Sequence, residues 1–217
     1  FREKPDVIQL YFKQVFKAEN EIFGYANFLK PKVRILPIAY GDLSFLLPNI
    51  LKPVLEADFI IVYGSSFIKG TLCDKLIDKK AINLHIGVSP YYRGAACNFW
   101  ALYDDNPHLV GATVHFLSKK LDSGDILYHA LPKPRENPFI FSMWAVKAAH
   151  LSIRDKIKDS SIIAHKSMEQ NKNDEIRYSK ISDFNEKVAG DYLQRGKKIS
   201  LTMNPTKYQS FIDPVFY

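Results

Sequence analysis

Apolar residues recur at helical spacing between positions 5 and 29, at Val7, Ile8, Leu10, Tyr11, Val15, Phe16, Ile22 and Phe23. The pattern predicts an amphipathic helix, with Pro5 suited to its first turn and Pro31 closing the segment. An apolar run at 33–39, cut by Pro37, predicts a strand that finishes in a loop. Positions 48–55 predict a short helix. The β-branched run at 57–63, bounded by Asp58 and Gly64, predicts a buried strand. A loop at 64–68 and a short helix over 70–78 follow. Positions 81–86 predict the next strand, 87–94 a turn-rich loop and 98–104 a helix. At 111–117 Val114 and Phe116 alternate with Thr113 and His115, and 126–131 alternates too, so a turn at 119–124 predicts a hairpin. The broad apolar face of Phe139, Phe141, Trp144, Ala145, Ala148, Leu151, Ile153 and Ile157 predicts a helix over 138–158. Beyond 160 the chain turns polar. A loop at 166–173 precedes a helix at 182–194 stopped by Gly196, and the final residues are aromatic without a period.

Short helices alternating with buried strands between 33 and 86 imply an α/β fold with a parallel sheet and helices on both faces. Ligands of such sheets bind beyond the carboxyl ends of the strands, here near 64–70 and 83–94. The chain has 217 residues, 47% of them hydrophobic, which suits one or two globular domains and excludes disorder as the main state. The 15 Phe, 12 Tyr and 2 Trp fill a core, stack on a planar ligand, or do both. A net charge of +7 permits an anionic partner, but Lys119 with Lys120 and Lys197 with Lys198 are only pairs. Without a basic stripe neither nucleic acid nor membrane is an expected partner. Cys73 and Cys97 make neither a disulfide framework nor a metal quartet. No apolar run reaches the length of a membrane span and no leader-like stretch opens the sequence, so a cytoplasmic location is expected.

Polar and special residues concentrate at 83–94. In Asn83-Leu84-His85 a period of two puts an amide and an imidazole on the same face near a strand's end. Burying both is costly unless they are satisfied. They either hydrogen-bond loop carbonyls or do chemistry. Leu121-Asp122-Ser123-Gly124-Asp125-Ile126 is by itself an ordinary hairpin turn.

In order and spacing, Asn83-Leu84-His85, Pro90-Tyr91-Tyr92-Arg93-Gly94, Gly111-Ala112-Thr113-Val114-His115-Phe116 and Leu121-Asp122-Ser123-Gly124-Asp125-Ile126 resemble the 10-formyltetrahydrofolate-dependent formyltransferases. The pattern of that family reads Asn-Ile-His, Pro-x-Tyr-Arg-Gly, Gly-x-Thr-x-His and Leu-Asp-x-Gly-Asp-Ile. The match runs over about 57–131. The resemblance implies a Rossmann-like, mostly parallel sheet, then a hairpin, a long helix and a small C-terminal extension. It implies Asn83, His85 and Asp122 as catalytic residues. Chemically, an amide and an imidazolium donate to a tetrahedral oxyanion, and a carboxylate beside the imidazole helps take the proton of the attacking amine. Whether His85 or Asp122 is the final base stays open. The resemblance also implies 10-formyltetrahydrofolate as co-substrate, with its pterin held by Ser66, Phe67 and Ile68 and by Leu121, Gly124 and Asp125. Phe67 fits that wall or the core. His115 lies near the site in a supporting place. A metal site of His85, His115, His129 and Asp122 matches no common zinc spacing, so no metal is expected.

Among acceptors, the run Arg93-Gly94-Ala95-Ala96-Cys97-Asn98-Phe99-Trp100 resembles the sugar N-formyltransferases, which act on nucleotide-linked amino dideoxy sugars. The tRNA-directed enzymes carry a C-terminal β-barrel, and the roughly sixty residues after the long helix lack its repeated strands. Tyr92, Arg93, Gly94 and Trp100 are thus candidate substrate contacts. Alternatively Arg93 pins its own loop, Trp100 packs the core and Asn98 caps a helix. The sequence departs from the family at Ile86, where Pro is common, and at Gly87-Val88-Ser89, where Ser-Leu-Leu is common. Both departures face the acceptor. A catalytic core at 1–160, an absent N-terminal strand before Phe1 and an extension at 161–217 are expected. Tyr208, Phe211, Val215 and Phe216 either pack on that core or form a homodimer interface.

Overall fold

The computed structural model describes residues 5–25, 32–196, 198–202 and 204–217. The first half of the chain forms α1 (Asp6–Phe23), α2 (Lys52–Leu55), β1 (Ile61–Val62), α3 (Gly70–Asp78), β2 (Ile82–His85), β3 (Tyr92–Gly94) and α4 (Cys97–Tyr103). After these come β4 (Ala112–Phe116), β5 (Ile126–Leu131), α5 (Pro138–Lys158), α6 (Ser161–Ala164), β6 (Arg177–Ser179), α7 (Glu186–Arg195) and β7 (Val215–Phe216). Among the described residues five strands make one sheet in the order β1-β2-β4-β5-β7, and β3 pairs with β6 apart from it. The sheet is mixed: β1 and β2 are parallel, as are β5 and β7, while β4 runs antiparallel to both of its neighbours, β2 and β5.

The expected α/β architecture holds, and side-chain alternation explains how the sheet is covered. Ile82, Leu84, Ala112, Val114, Tyr128 and Ala130 share one face and pack against Ala148, Ala149 and Ile153 of α5. On the other side Leu131 packs with Val88 and with Phe99, Trp100 and Leu102 of α4. Asn137 caps α5, its side chain accepting from the N–H groups of Phe139 and Ile140 at 2.9 and 3.2 Å.

Several expected elements are shorter than the periodicity suggests, or absent among the described residues. Helix α1 stops at Phe23 because Gly24 takes φ +74° and ends the turn; Pro31 lies outside the described residues. Residues 33–39 form no ladder among the described residues. Pro37 brings no N–H, and the apolar side chains there stay exposed. The strand expected over 57–63 contracts to Ile61–Val62 at the sheet's end, where Ile61 is 37% exposed. Only Ile60 ahead of it is buried, its carbonyl accepting from Ile82 N–H at 2.9 Å. The helix expected over 182–194 is α7, begun instead by the Asn185 cap and ended at Gly196.

Residues 161–217 supply β6 and β7, which pair with β3 and β5. Phe211 is buried, with ring contacts to Tyr91, His129 and Tyr208. Tyr208 in turn meets Phe216 edge to face. Among the described residues no helix is long and apolar enough to cross a membrane.

Candidate active site

The face of the sheet opposite α5 carries a row of polar side chains. Asn83 lies across from His115, His85 across from Thr113, and Thr113 across from His129. Each neighbour in this row has a defined task. Thr113 Oγ1 donates to the Gly87 carbonyl at 2.7 Å and accepts from Ser89 N–H at 2.8 Å, which fixes the loop after β2. His129 Nε2 donates to the Ser89 carbonyl at 2.8 Å, and its Nδ1 accepts from Ile212 N–H at 3.0 Å. His115 Nδ1 donates to the Phe116 carbonyl at 2.8 Å, which leaves its Nε2 to accept from Asn83 Nδ2 at 3.0 Å. The tautomer of His115 therefore sets which way the Asn83 amide points.

The turn after β4 brings Asp122 to this row. Its Oδ2 lies 3.4 Å from His85 Nδ1 and accepts from Gly94 N–H at 3.3 Å. Its Oδ1 accepts from Asn83 Nδ2 at 3.5 Å. His85 Nε2 donates to the Tyr92 carbonyl at 3.2 Å. Both ring nitrogens of His85 thus face acceptors. The His85 and Asp122 side chains are 6% and 9% exposed, so water screens the pair little. The structure brings Asn83, His85 and Asp122 together as expected, and the three line one cleft of about 400 Å³ with Ser66, Phe67 and Ile68. Phe67 is 54% exposed there, whereas Ile68 is buried against Leu72 and Cys73. Leu121 and Gly94 also line the cleft.

The remaining expected site residues are placed differently. Gly124 lies behind the turn, with its carbonyl accepting from Gln170 Nε2 at 2.8 Å. Asp125 meets Ser167 Oγ at 3.4 Å, outside the cleft lining. Trp100 and Tyr92 are 3% and 1% exposed and belong to the core, not to a substrate surface. The reason is a node on Asp104. Arg177 reaches that carboxylate through two nitrogens at 2.9 and 2.7 Å. Its guanidinium stacks 4.4 Å from the Trp100 ring, and Tyr92 Oη donates to Asp104 at 3.2 Å. Burial pushes the Tyr92 phenol up to about 12, against the opposing hydrogen bond from Asn106. Arg93 does not pin its own loop but holds a distant turn: Nη2 donates to the Leu121 carbonyl at 2.7 Å and Nη1 meets Glu175 at 3.0 Å. Asn98 does not cap α4; its Oδ1 accepts from Gly111 N–H at 3.0 Å. Sequence reasoning missed Gln170, which bonds the turn, and Glu175, which holds Arg93, because both lie in a stretch with no local pattern.

Burial, with the neighbouring His85 second, lowers His115 from its usual 6.5 to about 4, and burial lowers His129 to about 4. The unfolded chain takes up these protons near pH 6.5 and the folded chain only near pH 4. Stability from both is therefore full above the upper value and lost on acidification between the two. The melting temperature is expected to fall steadily from about pH 7 to about pH 5, and less steeply in His129→Gln. Thermal scans by circular dichroism check this, and equal slopes in the two proteins would contradict it.

Comparison with known proteins follows the same segment. Residues 51–133 match the formyl transferase family. A methionyl-tRNA formyltransferase of Desulforamulus reducens is 36% identical over 77 residues, 36% of this chain and 23% of that protein. The mitochondrial formyltetrahydrofolate deformylase 1 of Arabidopsis thaliana is 33% identical over 85 residues, 36% of this chain and 24% of that protein. The chain thus spans about a quarter of the length of these curated relatives. Among solved structures, the formyltransferase PseJ of Anoxybacillus kamchatkensis, in complex with UDP-4,6-dideoxy-4-formamido-L-AltNAc and tetrahydrofolate, superposes with a TM-score of 0.49 at 20% identity. That superposition covers 84% of this chain and 85% of the other.

Proposed function

We propose that this chain, whose residues 51–133 match the formyl transferase family, transfers a formyl group from 10-formyltetrahydrofolate to the amino group of a nucleotide-linked amino dideoxy sugar. The observation that carries the reading is the meeting of Asn83, His85 and Asp122 at one cleft, with His85 Nδ1 3.4 Å from Asp122 Oδ2. The sugar, with dTDP as its nucleotide, rests on the resemblance of residues 93–100. The reading also includes a homodimer, which sedimentation velocity of the purified chain tests.

The acceptor amine must be neutral to attack the formyl carbon. As the new C–N bond forms, the carbonyl electron pair moves onto oxygen. The Asn83 N–H now turned toward Asp122 at 3.5 Å is the loosely held donor available to that oxyanion. His85, held 3.4 Å from Asp122, stands beside this donor at the same cleft. Collapse of the tetrahedral species breaks the bond to the folate nitrogen. That nitrogen gains one proton and the amine loses one, and the His85–Asp122 pair is the acid–base group within reach of both. Phe67, Ile68 and Leu121 offer apolar cover for a pterin face.

The test offers the purified protein 10-formyltetrahydrofolate with dTDP-linked 3-amino or 4-amino sugars, glycinamide ribonucleotide or methionyl-tRNA. Release of tetrahydrofolate is expected only with a nucleotide sugar. Release with methionyl-tRNA alone would replace the acceptor, and release with no acceptor would make water the acceptor, as the name of the deformylase relative describes.

A further inference from the structure

We propose that Gln170 is a positioning residue that holds the 121–124 turn in register and so keeps Asp122 against His85. The inference rests on the proposed function only in calling that pair catalytic.

Asp122 adopts φ +46°, in the left-handed region that side chains rarely enter. Its carboxylate is held by contacts of 3.3, 3.4 and 3.5 Å, each near the outer limit for such bonds. Contacts this long do not fix a carboxylate by themselves, so the backbone beneath it must. Gln170 supplies that anchor. Its Nε2 donates to the carbonyls of Asp122 at 3.0 Å and Gly124 at 2.8 Å, using both amide protons on the turn. The orientation leaves Gln170 Oε1 buried without a hydrogen-bond partner among the described residues. An unpaired buried oxygen is unfavourable, and the fold retains it with both N–H groups aimed at the turn. Gln170 is 8% exposed. Its own segment is tied to β5 by reciprocal bonds between Ile126 and Met168 at 2.8 and 2.9 Å. From the other side Arg93 holds the Leu121 carbonyl at 2.7 Å.

The other titratable and charged groups around the pair are His115 from β4, Cys97 from α4 and Arg93 from β3. None of them bonds Gln170, so loss of its amide acts on His85 through Asp122 alone.

The test follows the His85 ring signals of the folded chain by NMR at fixed pH, assigned by the signals missing in His85→Gln. In Gln170→Ala the signal of the ring N–H that faces Asp122 is expected to move, in the same direction as in Asp122→Asn. Gln170→Met fills the same space without donors and should show the same movement if the alanine variant does not fold. Turnover should fall by up to about 100-fold, as for a misplaced reacting group, with the acceptor KM little changed. Unchanged His85 signals in the folded variants, with only a lower melting temperature, would overturn the proposal. If the wild type transfers no formyl group to any acceptor while the His85 signal still moves, the function fails and the positioning role stands.

Discussion

Asp122→Asn is expected to reduce formyl transfer by at least ~100-fold while leaving the fold intact. Asparagine has the same shape and tolerates φ +46° as well as any residue except glycine. Its amide oxygen can still accept from Gly94 N–H, now 3.3 Å from the carboxylate. What it removes is the negative charge beside His85. Without that charge the His85 ring keeps no anion at Nδ1, and the carboxylate is lost as a route for the amine proton. Asn83→Ala and His85→Ala should each fall by a similar factor. Their effects should not add, because the three groups act on one transition state. Single-turnover formation of tetrahydrofolate measures this directly. Near-normal turnover in Asp122→Asn would remove the carboxylate from the mechanism.

Gly94→Ala is expected to cost stability on the order of 3 kcal/mol, combining left-handed strain with overpacking. Gly94 has φ +90°, and a Cβ there would sit 2.1 Å from the carbonyl oxygen of Ser179. That oxygen belongs to backbone, so it cannot swing away as a side chain would. Relief requires β3 and β6 to separate. Their separation withdraws Gly94 N–H from Asp122, so turnover per folded molecule should drop as well. A loss of this size in a chain of this length corresponds to roughly 6–12 °C in melting temperature. Gly190→Ala is the control: its nearest neighbour, Val7 Cγ2, is 3.6 Å away, and the melting temperature should hold or rise. Equal melting temperatures for the two variants would contradict the packing argument.

Much of this arrangement was legible in the sequence, for a physical reason. Helices α3 and α5 were bounded correctly because their apolar spacing and stop residues are local. The β4–β5 hairpin was legible because alternation and a Gly-containing turn specify it without distant partners. The pairing of Asn83 with His85 followed from the period of two, which cannot place them on different faces. Strands at a sheet's end were misjudged. Their fate depends on a neighbour, and 33–39 has none among the described residues. Aromatics near a motif serve a core or a ligand equally well, so the sequence offers Tyr92 as a substrate contact and leaves Trp100 open between the two. Only the distant Arg177–Asp104 pair decides for the core. Gln170 was invisible for the same reason: its task is set by two carbonyls more than forty residues earlier, 46 and 48 positions away.

The pairing of β7 with β5 has a bearing on how the chain is made. His129 and Ile212, joined across this seam, are 83 residues apart in sequence. β5 therefore leaves the ribosome well before the strand that covers it. Until Val215 and Phe216 arrive beside Ala130 and Leu131, the sheet has an open edge on a strand whose side chains are all buried in the finished protein. Such an edge is a template for other chains. A synthesis that stalls after α7 would expose this edge, which β7 pairs in the folded protein.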